Sequence, residues 1–295
     1  MNAQPCRLRW IGFVMLIVGV AAVECRASAF VRGAYYRLGE DDPGAVAGGA
    51  GNDPTHDSFG DKLDLTRVGT TQYSGNVPAG WPDSKLSMAF NNFHGGPTVP
   101  GYYARATSLS MVEQGYAIEA WVNQAPPFDG PVTGGAAASP ADSHLVAYNG
   151  DPDSNGFGLY EHAGNYVARL GTSETVLGPA GFGQWHHLAF IQTFANSSFY
   201  YDGKLVSSSD KGPAPLAASG GFFIGGRTAN ADLFDGWIDE VRYQSFNPIA
   251  AGGFDPTSFL IVPAPGSLAL AGVAFAGFLL HRRRPHHAPL RTVMP

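Results

Sequence analysis

Acidic side chains are the groups of this 295-residue chain that could most readily do chemistry, and their spacing argues against catalysis. Glycoside hydrolysis needs two carboxylates on one face, which a strand supplies at positions i and i+2. Asp239 and Glu240 are adjacent, so a regular strand would point them to opposite faces, and Glu119 has no carboxylate two residues away. We expect Asp239 and Glu240 to form local hydrogen bonds or to pair with Arg242. We predict that the protein is not an enzyme.

A calcium-loop pattern is the first possible metal site. Asp151, Asp153 and Asn155 supply oxygens at positions 1, 3 and 5 of that pattern. Gly156 follows at position 6, but His162 stands at position 12, where a bidentate glutamate is needed. Two interpretations remain open: a polar turn between strands, or weak Ca²⁺ binding by Asp151, Asp153 and Asn155.

A histidine pair is the second possible metal site. His186 and His187 are neighbours in a segment with the pattern of a strand. Adjacent side chains of a strand point to opposite faces, so the two rings cannot both bind one ion. We expect one ring to pack in the core and the other to be exposed.

A sugar site would need exposed aromatic rings for stacking, beside side chains that hydrogen-bond to hydroxyl groups. Aromatic residues of a β-sandwich more often belong to its core, so each candidate has a structural alternative. The ligand-binding residues therefore stay unassigned. The candidates are Tyr148-Asn149, Phe157, Tyr160, Asn91-Asn92-Phe93-His94 and Tyr102-Tyr103.

The first 29 residues have the pattern of a secretory signal peptide. Arg7 and Arg9 precede the uncharged, mostly apolar segment Trp10–Val23, and a small-x-small motif ends at Ala29. We expect signal peptidase to cleave after Ala29, so that the mature chain begins at Phe30. An uncleaved N-terminal anchor is the alternative, but 14 helical residues span only about 21 Å of a hydrocarbon core of about 30 Å. Both cysteines of the chain lie in this segment. The mature domain would therefore have no disulfide and no thiol nucleophile.

The other end has the pattern of a membrane anchor. Residues 251–265 form a linker that ends in Val262, Pro263, Ala264 and Pro265, and residues 266–284 form an apolar helix that ends in arginines. Arginines cross a membrane at high cost and stay on the cytoplasmic side, which places the body outside and residues 285–295 in the cytoplasm. The three arginines are Arg282, Arg283 and Arg284.

This end resembles the PEP-CTERM sorting signal of bacterial surface proteins, in which a Val-Pro-Glu-Pro box precedes an apolar helix and an arginine cluster. Ala264 stands where that family usually has glutamate. The resemblance implies cleavage near the box by an exosortase, in a bacterium that makes extracellular polysaccharide. A plain C-terminal membrane anchor is the alternative.

Composition excludes several classes of protein. The chain has 39 Gly and 22 Pro, and only 14% of its residues are charged, which excludes a coiled coil and a charged disordered chain. Residues 30–261 contain 11 basic and 23 acidic residues, a net charge of −12. Such a charge disfavours anionic partners, and we predict no binding to nucleic acid.

Short alternating segments separated by Gly, Pro, Asn and Asp predict an all-β sandwich or barrel. Asp202-Gly203 fits a type I′ turn between two of these segments. Residues 41–76 and 126–142 are poor in patterned apolar residues and predict long surface loops. The predicted strands are Phe30–Leu38, Lys85–Phe90, Tyr116–Val122, Ser143–Tyr148, Gly156–Glu161, Asn165–Leu170, Gln184–Thr193, Ser198–Tyr201, Lys204–Ser207, Gly221–Ile224 and Gly236–Tyr243.

Several of these segments, in this order, resemble a laminin-G-like domain of the concanavalin A-like lectin/glucanase superfamily. The resemblance implies a jelly-roll β-sandwich of two antiparallel sheets over residues 30–250. It also implies that Trp121 and Trp185 are buried anchors of facing strands. The segments are Ala34–Glu40, Tyr116–Val122, Gly183–Phe190, Tyr200–Leu205 and Phe234–Arg242.

The predicted protein is an exported, non-catalytic bacterial surface or matrix protein, tethered to the membrane and then released to the cell surface or extracellular matrix. Its partners would be signal peptidase, an exosortase-type enzyme and an extracellular polysaccharide or surface protein. A protein–protein adhesion or structural module is the first alternative, and a glycan-cleaving enzyme is the second. No cofactor is expected apart from the possible Ca²⁺.

Overall fold

The computed structural model describes residues 30–246, apart from 60, 80, 82, 93–99, 110–114, 127–143, 152–155, 194, 211–219 and 228–231. Within these residues fifteen strands form two antiparallel sheets, and no helix occurs. The predicted two-sheet antiparallel sandwich is therefore confirmed.

The larger sheet has eight strands. Its longest strand, β15 (Asp235–Phe246), pairs along one side with β6 (Gly115–Gln124) and along the other with two strands that lie end to end. These two are β4 (Ser87–Asn91) and β1 (Phe30–Tyr36). The remaining strands are β11 (Trp185–Gln192), β12 (Ser197–Tyr201) and β13 (Lys204–Ser209) beyond β6, and β3 (Gln72–Ser74) beyond β4.

The smaller sheet has seven strands and covers one face of the larger one. Each of its hydrogen-bonded pairs is antiparallel. In side-by-side order its strands are β10 (Ser173–Pro179), β9 (Asn165–Leu170), β8 (Phe157–His162), β7 (His144–Gly150), β14 (Gly221–Ile224), β5 (Tyr102–Arg105) and β2 (Thr66–Val68).

Alternating side chains of both sheets fill the space between them. Tyr116, Ile118, Ala120 and Val122 of β6 all belong to this core, so the odd-numbered residues of β6 point to the outer face. Ring contacts join the sheets directly: the centroids of Tyr116 and Phe157 are 4.1 Å apart. The outer face of the larger sheet is therefore the place where residues from several strands can meet without being part of the core.

Every predicted strand corresponds to an observed one, with ends that differ by up to three residues. The predicted hairpin turn is also confirmed, since Asp202 and Gly203 have φ values of 50° and 72°. The prediction of a continuous loop over residues 41–76 was wrong, because it contains β2 and β3. Both strands have only three residues, too few for an alternating pattern. β5 and β10 were also missed.

Most of residues 126–142, and both predicted targeting segments, lie outside the described residues. The same holds for Ala29, Val262, Pro263, Ala264, Pro265 and Arg282–Arg284, so these assignments stay predictions. In the part of the chain that the structure describes, no helix has the length and apolar character needed to cross a membrane.

Candidate functional site

β15 exchanges partners in its middle, and this exchange organises the candidate site. β4 pairs with β15 from Asp235 to Ile238, and β1 pairs with it from Val241 to Phe246. Asp239 and Glu240 lie between these two stretches. The pairing with β6 shows a β-bulge at the same place, and Glu240 has a left-handed backbone with φ of 52°. The site therefore lies where regular pairing of the sheet is interrupted.

The bulge brings together three carboxylates, which we call the carboxylate cluster: Glu40, Asp239 and Glu240. One oxygen from each lies within 4.8 Å of one oxygen from each of the others. The prediction that Asp239 and Glu240 point to opposite faces was therefore wrong. Strict alternation holds only for regular strands, and the extra residue of a bulge changes the direction of the side chain that follows. The spacing argument against catalysis at this pair no longer applies.

Two chain segments beside the bulge hold the carboxylate cluster in place. Glu40 lies four residues beyond the end of β1, and its Oε1 accepts hydrogen bonds from the backbone N–H groups of Lys85 (2.5 Å) and Leu86 (2.8 Å), just before β4. Ser84 Oγ donates to Asp239 Oδ2 at 2.6 Å. The segment before β4 thus supplies the hydrogen-bond donors for Glu40 and Asp239.

Glu240 has the most protected position in the carboxylate cluster. Its side chain has no exposed area, and its Oε2 accepts a hydrogen bond from Tyr35 Oη. Arg37 Nε lies 3.5 Å from its Oε1. Glu240 is therefore fixed by residues of β1 and its extension. The expected local hydrogen bond is observed, since the N–H of Glu240 donates to Asp239 Oδ1 at 2.9 Å.

Burial and mutual repulsion make these carboxyl groups reluctant to ionise. Burial raises the pKa of Asp239 well above its usual range, and the neighbouring Glu240 charge raises it further. Burial also raises the pKa of Glu240, although the hydrogen bond from Tyr35 and the charge of Arg37 oppose the increase. The fold therefore favours protonation of these carboxyl groups at a higher pH than in the unfolded chain.

A second polar group on the outer face is formed by Glu119, His187 and Arg242. Arg242 Nε contacts Glu119 Oε1, and His187 Nε2 lies 3.3 Å from Glu119 Oε2. Glu119 is 1% exposed and His187 is 3% exposed. Glu119 is thus the buried ion-pair partner of the Arg242 guanidinium group. Its isolated position in the sequence did not indicate this role.

The third group crosses the outer face as a row of directly paired residues, and we call it the tryptophan row. Trp185 of β11 pairs with Asn123 of β6, which pairs with Trp237 of β15. Directly paired residues project to the same face, and Asn123 is an odd-numbered, outward residue of β6. Trp185 and Trp237 are half-buried. The row therefore offers two aromatic rings with a primary amide between them.

Two buried polar atoms in and beside the tryptophan row make no hydrogen bond within the described part of the chain. They are Asn123 Oδ1 and Trp121 Nε1. Trp121 is 8% exposed and is the cross-strand partner of Asp239. By contrast, Trp185 Nε1 donates to Asn76 Oδ1 at 3.0 Å. Buried polar atoms are rarely left without a partner, so these two indicate a place where a ligand or water completes the hydrogen bonding.

The prediction that Trp121 and Trp185 are buried anchors of facing strands was partly wrong. Trp121 is buried as expected, but Trp185 is only half-buried. Their strands, β6 and β11, are neighbours in one sheet and do not face each other. Both rings project outward from the sandwich, away from the core that they were expected to anchor.

Most of the candidates for a sugar site are buried or hydrogen-bonded to the backbone, whereas Tyr102 is half-buried and Asn91 is exposed. Tyr148, Phe157, Tyr160 and Tyr103 are fully buried. Asn149 binds the backbone of Leu109, and Asn92 binds that of Phe234. Phe93 and His94 lie outside the described residues. Sequence reasoning missed the tryptophan row because its three members come from three distant segments.

The remaining candidates lie far apart in the fold. Asp151 follows β7, and its carbonyl oxygen accepts the N–H of Gly156 at 2.8 Å, while Asp153 and Asn155 are outside the described residues. His186 and His187 occupy opposite faces of β11, as predicted: His186 stacks on Tyr201, and His187 contacts Trp121. Neither histidine is exposed, which differs from the prediction.

Comparison with solved structures shows the same fold in proteins of low identity. Domain 4 of AbnA, a GH43 extracellular arabinanase from Geobacillus stearothermophilus solved with arabinotriose, is 17% identical. The match covers 76% of this chain and 94% of the domain, with a TM-score of 0.50. The receptor-binding domain of botulinum neurotoxin type G is 11% identical over 77% of this chain and 49% of its own, with a TM-score of 0.47. At these identities the likeness shows the fold alone.

The comparison with protein families is more specific. No curated protein sequence matches the chain. Residues 99–246 match the Laminin_G_3 model, described as the concanavalin A-like lectin/glucanases superfamily. The match covers half of the chain and includes β5 to β15. By fold and by sequence, the chain belongs to the concanavalin A-like lectin/glucanase superfamily.

Proposed function

We propose that the protein is an exported, non-catalytic carbohydrate-binding protein of the bacterial surface or extracellular matrix, which binds its ligand on the outer face of the larger sheet. The tryptophan row is the observation that carries this proposal. Half-buried indole rings stack on the apolar faces of sugar rings, and amide oxygens accept hydrogen bonds from hydroxyl groups. Trp185, Asn123 and Trp237 supply both kinds of contact side by side.

The charge of the domain favours a neutral ligand. Residues 30–261 carry a net charge of −12, which repels uronate-rich or sulfated glycans. A domain of the same fold, AbnA domain 4, was solved in complex with arabinotriose, so the fold can accommodate a neutral oligosaccharide. The ligand class that fits best is therefore a neutral polysaccharide.

Binding to an array of neutral and acidic glycans tests the proposal. We expect the purified protein to bind neutral glycans, and calorimetry with the best oligosaccharide should give an affinity that Trp237→Ala and Trp185→Ala each weaken at least tenfold. Aromatic residues at the centre of binding sites commonly have effects of this size. Phe59→Ala is the matched control, because Phe59 is 48% exposed and lies outside the row.

Three outcomes would contradict the proposal. Absence of binding to any glycan, with capture of a host surface protein instead, would favour the adhesion module. Equal loss of affinity in Phe59→Ala would remove the tryptophan row from the site. Release of reducing sugar from a bound polysaccharide would show an enzyme, and the bulge at Glu240 would then be the first place to look for its carboxylates.

The export pathway is a separate part of the proposal. The signal-peptide pattern before Phe30 and the order of Pro-x-Pro box, apolar segment and arginines after Ile261 support it. Mass spectrometry of the protein recovered from the host surface should give an N-terminus at Phe30 and no peptide beyond Pro265. Recovery of peptides that contain Arg282–Arg284 from the mature protein would favour the plain membrane anchor.

A further inference from the structure

We infer that Asn76 is a positioning residue of the proposed glycan site, which holds the Trp185 ring of the tryptophan row in place before a ligand arrives. The inference rests on the proposed function and adds to it a residue that lies outside the row. Asn76 follows the end of β3 by two residues, in the segment that leads from β3 to β4. Trp185 begins β11, on the other side of the outer face.

One hydrogen bond joins the two residues. Trp185 Nε1 donates to Asn76 Oδ1 at 3.0 Å, although the two residues are 109 positions apart in the sequence. An indole N–H can only donate, so the amide atom that faces it must be the oxygen, and this fixes the orientation of the Asn76 amide. The bond holds the indole by its polar edge and leaves the two faces of the ring clear of Asn76 for stacking.

The hydrogen bond spans the middle of the larger sheet. β6 and β15 lie between β11 and β4, so three intervals of about 4.8 Å, or about 14 Å in all, separate β11 from β4. β6 and β15 carry Asn123 and Trp237, the other members of the tryptophan row. The bond between Trp185 and Asn76 therefore crosses above these two residues. A Trp185 ring that turned away from the sheet could not make this contact.

The backbone of Asn76 is itself held on the outer face. Its N–H donates to Ser74 Oγ at 3.1 Å, and Ser87 Oγ donates to its carbonyl oxygen at 2.6 Å. Ser74 and Ser87 are direct cross-strand partners in β3 and β4. Met88 of β4 belongs to the core, so its neighbour Ser87 points to the outer face. The paired serines thus fix Asn76 to the sheet.

A second contact ties the same segment to the outer face. Ser84, just before β4, donates through its Oγ to Asp239 Oδ2 at 2.6 Å, and this hydrogen bond is buried. The segment between β3 and β4 is therefore attached near both of its ends, at Asn76 and at Ser84. Attachment at two points limits the movement of Asn76 relative to β15, the strand that carries Trp237.

A ring that is already fixed lowers the cost of binding. A half-buried indole without a restraint can occupy several rotamers, and a sugar that stacks on it selects one of them. Immobilising one such side chain weakens an affinity by about threefold to tenfold. A hydrogen bond that forms before binding removes most of this penalty. Asn76 therefore contributes to affinity through Trp185.

Substitutions that remove or keep the acceptor test the inference. The probe is the oligosaccharide that the wild type binds most tightly on the array of neutral glycans. Asn76→Leu should weaken its binding about fivefold in calorimetry, whereas Asn76→Asp keeps an acceptor and should bind within about twofold of the wild type. Asn165→Leu is the matched control, because Asn165 is also half-buried, lies in the smaller sheet and donates to the Ala163 carbonyl.

A double-mutant cycle shows whether Asn76 acts through the indole N–H. Trp185→Phe keeps an aromatic ring but has no N–H to donate. In that background Asn76→Leu should change the affinity by less than about twofold, since the hydrogen bond is already absent. Equal losses in the two backgrounds would overturn the inference, because the effect of Asn76 would then not pass through Trp185.

Hydrogen exchange of the indole N–H reports on the bond without a ligand. In ¹⁵N spectra of the purified protein labelled at tryptophan, the signal that Trp185→Phe removes belongs to Trp185. Its exchange with solvent should be about tenfold faster in Asn76→Leu than in the wild type, and unchanged in Asn165→Leu. A purely structural role of Asn76 would lower the melting temperature without this selective change.

Failure of the inference and failure of the proposed function give different results. A wild type that binds none of the glycans contradicts the proposed function, and the inference with it. A wild type that binds a glycan, while Asn76→Leu changes neither the affinity nor the exchange of the Trp185 N–H, overturns the inference alone.

Discussion

Asp202 and Glu240 have the same unusual backbone and opposite environments. Both are acidic residues with φ near 50° within the larger sheet. Asp202 is exposed in the turn between β12 and β13, and Glu240 is buried in the bulge of β15. The turn at Asp202 is a local feature that two neighbouring residues define, whereas the bulge at Glu240 depends on strands from both ends of the domain.

The pKa values of the two carboxyl groups move in opposite directions. Partial burial would raise the pKa of Asp202, but hydrogen bonds from His186 Nδ1 and from the N–H of His187 lower it. Burial raises the pKa of Glu240, and its hydrogen bond with Tyr35 does not offset that effect. The comparison separates an exposed carboxylate that completes its own turn from a buried one that residues distant in the sequence hold in place.

The largest effect expected from this difference is on the pH dependence of stability. Carboxyl groups whose pKa is raised by folding bind more protons in the folded state, so stability falls as the pH rises from about 4, the unfolded value, through the folded value. Each unit of increase costs about 1.4 kcal/mol at neutral pH.

Melting temperatures between pH 4 and 8 measure this effect. We expect a fall of several degrees in the wild type, and a flat profile in the double variant Asp239→Asn/Glu240→Gln. A wild-type profile that rises across this range would mean that neighbouring cations already balance the two carboxylates.

The second prediction concerns the substitution by glycine of Asp202 and of Glu240, whose backbones are both left-handed. Asp202→Gly should destabilise the protein by about 1 kcal/mol, because the loss of two hydrogen bonds outweighs the relief of backbone strain. Glu240→Gly should destabilise the protein more, by about 3 kcal/mol, because the relief of strain does not offset the loss of the buried partner of Tyr35 Oη and Arg37. Denaturant unfolding of both variants gives the comparison, and effects of equal size would show that the two positions are not different in kind.

The smallest effect is expected at the acidic end of the pH range. The lowered pKa of Asp202 contributes stability above its unfolded value near 4, and that contribution is lost as the pH falls through the folded value. His186→Ala should reduce it, but by less than about 1 kcal/mol, because the Asp202 side chain is 41% exposed and its charge is screened by solvent. Acid unfolding of the variant and wild type at two ionic strengths measures the difference.

Sequence patterns predicted the parts of the fold that local rules govern. Alternation located eleven strands, and Asp202-Gly203 located the hairpin turn, because each feature needs only adjacent residues. Asp42 shows where such rules end. It is buried and accepts hydrogen bonds from Thr55, His56 and Tyr73, so it orders a segment whose composition indicated a loop.

The candidate site could not be predicted in the same way. The carboxylate cluster depends on a bulge, and Glu240 carries no signal for one, since glycine is the residue expected at a left-handed position. The tryptophan row depends on the register among β11, β6 and β15, which no single segment reveals. Trp121 and Asn123 lie at i and i+2, and this alternation in a long strand was the available sign of a polar outer face.

The pairing of β1 with β15 has a consequence for how the molecule is made. Among the described strands, the first pairs only with the last, so β1 cannot complete its hydrogen bonds until Phe246 has been synthesised. During synthesis the nascent polypeptide therefore cannot complete the larger sheet until the ribosome has added the residues of its last described strand.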